Sequence, residues 1–214
     1  MWVYQILDIL STIAEGFCLY VISRCLCKEP RFQMTINKYI PPITEIMLTY
    51  ALTWFTELGA WKMPLILIFV IATLKLCYKD TIYQIITAAE AWIIVASILM
   101  ETIAYSFGYL LYGSNQLVMV DGQAFTRWEI YAIGIVARLL VLGVVYLLLK
   151  NFKYKMQMKD SIVLTLVFLI AFAIVIFTVF NLLNLERTAD LTLYISSGIL
   201  ATIFFIIFMY SKNI

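Results

Sequence analysis

Apolar blocks of membrane-spanning length alternate along this chain with short gaps that are by turns basic and nearly free of positive charge. The hydrocarbon core of a bilayer is about 30 Å thick, so an α-helix needs about 20 apolar residues to cross it. Inside lipid every backbone N–H and C=O must be satisfied within the segment, which leaves helices as the structure for blocks of this length. The blocks fall at residues 2–24, 39–59, 63–79, 81–112, 128–149, 161–183 and 190–210. Apolar residues make up 64% of the 214 positions, against about 45–50% in a soluble domain. The expected fold is all-α: one polytopic membrane bundle over residues 1–214, with about seven transmembrane helices.

The gaps set the direction. Arg24, Lys28, Arg31 and Lys38 follow the first block, Lys75 and Lys79 end the third, Lys150, Lys153, Lys155 and Lys159 follow the fifth, and Lys212 follows the seventh. The other gaps hold Lys62, Arg127 and Arg187. Positive loops stay in the cytoplasm, so the amino terminus lies outside and the carboxyl terminus inside. Trp2, Trp61 and Trp128 fall at the outer boundaries, where an aromatic belt belongs. Met1–Ile6 lacks the positive charge of a signal peptide, and Asp8 and Glu15 interrupt the apolar stretch, so the first helix is expected to be retained. Residues 113–127 form the longest polar connection on the outer side; Asp121-Gly122 is a turn signal that suits a small hairpin beginning near Gln116–Val120. The fourth block is longer than a bilayer needs, so its helix should tilt or protrude.

Several chemistries are excluded. The chain contains no histidine, which removes Ser-His-Asp and Cys-His catalysis, HExxH metal sites and a phosphoaccepting histidine. No Gly-rich nucleotide loop occurs, and basic residues split among separate loops give no nucleic-acid surface. Cys18, Cys25, Cys27 and Cys77 lie within spans or at their inner ends, where they read as small apolar residues rather than disulfide or zinc partners. No cofactor and no metal are expected.

Ionisable residues within spans are costly and mark functional candidates. Asp8, Glu57 and Lys75 lie near block ends and can reach headgroups. Deeper positions sort by helical spacing. Glu90, Ser97, Glu101, Tyr105, Gly108 and Tyr112 form one stripe on the fourth block, and Glu45, Thr49, Thr53 and Thr56 form another on the second. Asp8 and Glu15 share a face of the first. Such faces should point into the bundle. Glu101 and Arg138 both lie roughly 15 Å below the outer surface at 1.5 Å per residue, and are expected to pair there. That pair reads either as a structural ion pair setting helix register or as a buried switch. Glu15, Glu45 and Glu90 lie nearer the inner ends at a common level, with Lys75 at similar depth; grouped carboxylates are also the chemistry of a cation or proton site. The candidate ligand-binding or switch residues are therefore Glu101, Arg138, Glu90, Glu15, Glu45, Tyr105, Tyr112 and Asp121.

The opening Trp2-Val-Tyr-Gln-Ile-Leu-Asp-Ile-Leu, with Ala14-Glu15-Gly16-Phe17 and Arg24-Cys25-Leu26-Cys27-Lys28, resembles the amino terminus of the GHKL-type, peptide-sensing histidine kinases of Firmicutes, the group of AgrC- and ComD-like receptors. The likeness of pattern extends over the whole chain. It implies a bacterial cytoplasmic-membrane sensor whose last span leads into a cytoplasmic kinase, dimerised through that kinase region, with a secreted peptide as ligand. The peptide would meet residues 113–127 and the outer halves of the polar faces. Tyr210-Ser211-Lys212-Asn213-Ile214 looks like the start of the family's linker, so kinase activity would belong to sequence beyond this chain. A small-molecule-binding membrane subunit of a transporter is the alternative, disfavoured by the odd span number and outside amino terminus. An intramembrane enzyme is disfavoured by the missing motifs.

Overall fold

Helices form where the apolar blocks stand. The computed structural model describes residues 2–31, 35–55, 62–98, 108, 110–112, 117–120, 123–150, 157–166 and 168–170, with scattered positions from 200 to 211. Helix α1 spans Trp2–Leu26, α2 Ile40–Phe55, α3 Lys62–Cys77, α4 Ile82–Ile93 and α5 Trp128–Leu149. Residues 158–166 and 168–170 are also helical and are termed α6. Pro41 and Pro42 stand in the first turn of α2, where the missing N–H groups had no helical partner to lose. Thr81 caps α4 by accepting the Gln84 N–H at 3.4 Å. The segments Val3–Leu26 and Trp128–Leu147 are each long and apolar enough to cross a membrane.

One departure from regularity falls in the fourth block. Its helix passes from α geometry into a π-helix over Ile94–Ile98, so it is not the uniform α-helix expected across 81–112. Residues 99–107 lie outside the described residues. A two-stranded hairpin, β1 Leu117–Val120 and β2 Gln123–Thr126, pairs Leu117 with Thr126 and Val120 with Gln123. Strand β1 falls within the segment Gln116–Val120 from which a small hairpin was expected, and β2 completes that hairpin, while Asp121-Gly122 lies outside the described residues.

Helix α1 is central: it packs against α2, α4 and α5, while α2 and α4 each meet α3. At one end, the connection after α1 is joined to the connection after α3. Arg31 N–H donates to Cys77 O at 2.8 Å, Lys79 N–H to Glu29 O at 2.7 Å, and Glu29 N–H to Asp80 Oδ2 at 3.0 Å. Gln84 Nε2 donates to Leu26 O at 2.9 Å, satisfying a carbonyl that the end of α1 would leave open. These bonds bring two of the basic gaps together. At the other end Tyr4 and Tyr131 meet edge to face with centroids 6.5 Å apart, so α1 and α5 run in the same direction. Among the described residues, this arrangement agrees with the alternation of the charges.

Apolar side chains are exposed along the outside of the bundle, and its apolar core also buries several polar groups. Val3, Ile6, Leu10, Ile13 and Phe17 form an exposed stripe on α1, and Val136, Leu140, Val144 and Leu147 form one on α5. Thr12, Ser23, Glu45, Thr49, Gln84, Thr87, Glu90 and Arg138 are buried. Exposed apolar stripes on α1 and α5, the two helices among the described residues long enough to cross a bilayer, are surfaces that a hydrocarbon surround would suit.

Helices α1 and α2 pack closely at Gly16. A Cβ there would stand 2.5 Å from two carbons of the Ile46 side chain. Replacing Gly16 with Val should separate the helices and cost about 1–3 kcal/mol, read as a lowered Tm in detergent. Gly143→Ala, with nothing within 4 Å of the added carbon, should cause no loss. Burial also pushes the Cys27 thiol above its ordinary range, with the nearby Asp80 adding to the rise. At neutral pH the reactive thiolate is therefore scarce. Cys27 should resist maleimide in the folded protein and react on denaturation, as mass spectrometry of the labelled peptide would show.

Candidate functional site

Arg138 lies in the middle of α5, with only 6% of its surface exposed. A guanidinium at membrane depth costs about 2.5–3.5 kcal/mol by insertion scales unless it finds partners. Its donors are distributed over two neighbouring elements. Nη2 donates to Glu15 Oε1 at 3.0 Å, forming an ion pair between α5 and α1. Nη1 donates to Ser11 O at 2.9 Å and to Ser11 Oγ at 2.8 Å. Nε donates to Ala96 O at 3.1 Å, inside the π-helix. Charge-assisted bonds of this kind are the stronger ones. The carbonyl that Arg138 takes belongs to the segment whose register is widened, so the bond and the π geometry support one another. Trp92, in α4, adds a further tie by donating Nε1–H to Glu15 O at 3.0 Å.

Two more carboxylates occupy the interior. Glu45, on α2, is 1% exposed and accepts from Thr49 Oγ1 at 3.0 Å. Its Oε2 has no hydrogen-bond partner among the described residues, and it packs beside the backbone of Gly16. Glu45 lies close enough to Glu15 and Arg138 for their charges to act on it. Glu90, on α4, accepts from Thr165 Oγ1 of α6 at 2.7 Å, and its Oε2 likewise has no hydrogen-bond partner among the described residues.

The expected residues are thus partly assembled. Glu15 and Glu45 come together, as their depth suggested, but Glu90 turns to α6. Lys75 does not join them: its Nζ donates to Asp80 O at 3.0 Å, in the connection after α3. The ladder expected on α2 begins with the Glu45–Thr49 bond and continues with Thr53 Oγ1 donating to Thr49 O at 2.7 Å. Tyr112 meets Arg127, whose guanidinium lies 4.6 Å from its ring centroid. Glu101, Tyr105 and Asp121 lie outside the described residues, so the anticipated Glu101–Arg138 contact is not among the contacts seen; the described acidic partner of Arg138 is Glu15. Sequence reasoning did not single out Ser11, Trp92 or Thr165. Ser11 had a signal, since it stands one helical turn before Glu15 on the same face.

Comparison with known proteins finds no matching family model, no matching curated protein and no matching solved structure.

Breaking a buried pair by removing one partner leaves an uncompensated charge and costs about 3–5 kcal/mol. Arg138→Gln and Glu15→Gln should each lower Tm substantially in detergent, while the double variant should lose much less than the sum of the two. Strict additivity would show that the residues do not interact. The same cycle with Glu101→Gln measures whether Arg138 is shared with the fourth block.

Proposed function

We propose that this chain is the transmembrane sensor region of a bacterial two-component histidine kinase, detecting an extracellular peptide and passing the signal through its last helix. In this reading seven helices cross the cytoplasmic membrane, with the amino terminus outside. The full-length protein would be a kinase dimerised through a cytoplasmic region outside this chain, and these residues would carry no catalytic group. The observation that carries the proposal is the Arg138 cluster. One side chain ties α1, the π-helical part of the fourth block and α5 through bonds that can be made or broken together. A receptor needs an element with two arrangements that a ligand can bias. The widened turn at Ile94–Ile98 supplies a change of register in the helix leading to the outer connection. Support also comes from the alternating charges and from the amino-terminal resemblance.

The reading is tested by joining residues 1–214 to a well-behaved histidine-kinase catalytic region. The fusion is reconstituted in vesicles and exposed to the peptide fraction of conditioned medium from the source bacterium. Autophosphorylation should change severalfold, and Arg138→Gln should abolish the change while leaving the catalytic region active. Unchanged phosphorylation, together with tight retention of a vitamin-sized solute by the purified chain, would favour the transporter subunit instead.

A further inference from the structure

Where α1 reaches the basic end of the bundle, a row of aromatic rings terminates in two cations. Phe17 and Tyr20 stack on α1 with centroids 6.3 Å apart. Tyr20 in turn stacks on Tyr39, at 5.4 Å and 6° between planes. Tyr39 immediately precedes α2, so this second stack bridges the two helices. Arg24 lies one turn beyond Tyr20. Its guanidinium is 5.7 Å from the Tyr20 ring centroid, and its Nη1 donates to the Tyr20 hydroxyl at 3.1 Å. Lys38, the last residue of the short 3-10 turn Thr35–Lys38, directly precedes Tyr39 and so stands beside the stack. Among the described residues no carboxylate pairs with Arg24 or Lys38. Toward the middle of the bundle the same face is exposed and apolar, with Phe17 at 49% and Ile43 at 51%.

We propose that this face is a binding site for an anionic phospholipid. Arg24 and Lys38 hold the phosphate, and the Tyr20 and Tyr39 hydroxyls lie at headgroup level. One acyl chain lies along Phe17 and Ile43. The site rests on the membrane placement of the chain but not on the sensor function. Three observations favour a lipid over a soluble anion. The cations stand at the end of α1 where the basic gaps gather. The rings beneath them are amphipathic groups of the type found at membrane interfaces. The surface continuing from them is apolar and exposed. Arg24 is held by its own tyrosine rather than by an acid, so its charge stays available and little side-chain freedom remains to be lost on binding.

The test is lipid selectivity of the purified chain in bilayer nanodiscs, measured by electron spin resonance with spin-labelled phosphatidylglycerol and phosphatidylcholine. Native protein should immobilise phosphatidylglycerol preferentially. A basic side chain near an anionic surface contributes about 1 kcal/mol, so Arg24→Gln and Lys38→Gln should each reduce that preference about fivefold. Arg24 is exposed and Lys38 half-buried, and an unchanged Tm would show that the fold is intact. Lys150→Gln/Lys159→Gln removes two other cations and should leave the preference unchanged. An equal loss from that control would reduce the effect to general inner charge and overturn the site. So would displacement of the lipid by inorganic phosphate, or equal immobilisation of both lipids by the native chain.

Discussion

The arrangement of this bundle depends on one buried guanidinium. Arg138 is buried in the middle of α5, away from solvent, so its donors must be met by neighbouring helices. Meeting them sets the positions of those neighbours. Ser11 and Glu15 must lie one turn apart on the face of α1 toward α5, and the Ala96 carbonyl must be free to accept. A regular α-helix commits each interior carbonyl to its own ladder. The π turn at Ile94–Ile98 is where the fourth block departs from that ladder, at the place where Arg138 reaches it. Trp92 then secures the same crossing by bonding the Glu15 carbonyl.

The remaining polar groups follow a related logic with weaker compensation. Glu45 and Glu90 each satisfy one carboxylate oxygen with a threonine and leave the other without a hydrogen-bond partner among the described residues. Polar groups buried in this way are costly, and a stable apolar core would need none of them. Glu45 and Glu90 stand on two different helices, α2 and α4, with Glu45 against α1 at Gly16 and Glu90 against α6 at Thr165. Among the described residues, the outward faces of α1 and α5 carry stripes of Val, Ile, Leu and Phe that would suit a lipid surround.

Much of this was legible from the sequence. Block lengths gave helix positions to within a few residues for α1, α3 and α5, because a helix end coincides with the change from apolar to charged residues. Charge alternation anticipated that the connections after α1 and α3 lie together, and the hydrogen bonds of Glu29, Arg31, Lys79 and Asp80 join them. Depth counting was less decisive. Glu15 lies about three residues deeper along its helix than Arg138, roughly 5 Å, which two long side chains can span. Depth alone therefore could not choose between Glu15 and Glu101, and only the helix neighbours could. The π turn and the backbone acceptors at Ser11 and Ala96 had no sequence signal, since a carbonyl looks the same in every residue. The tyrosine stack was hidden for another reason: Tyr20 and Tyr39 belong to different helices, and nothing in their spacing reveals that the rings meet.

The most direct test is a solid-state NMR dipolar measurement on the chain in lipid bilayers, with labelled arginine side-chain nitrogens and glutamate side-chain carboxyl carbons. Strong dephasing of the Arg138 nitrogens by the Glu15 carboxyl, as a 3.0 Å contact requires, and its loss in Glu15→Gln lacking that label, would support the account. Absence of dephasing from Glu15 in a folded, membrane-embedded sample would contradict it.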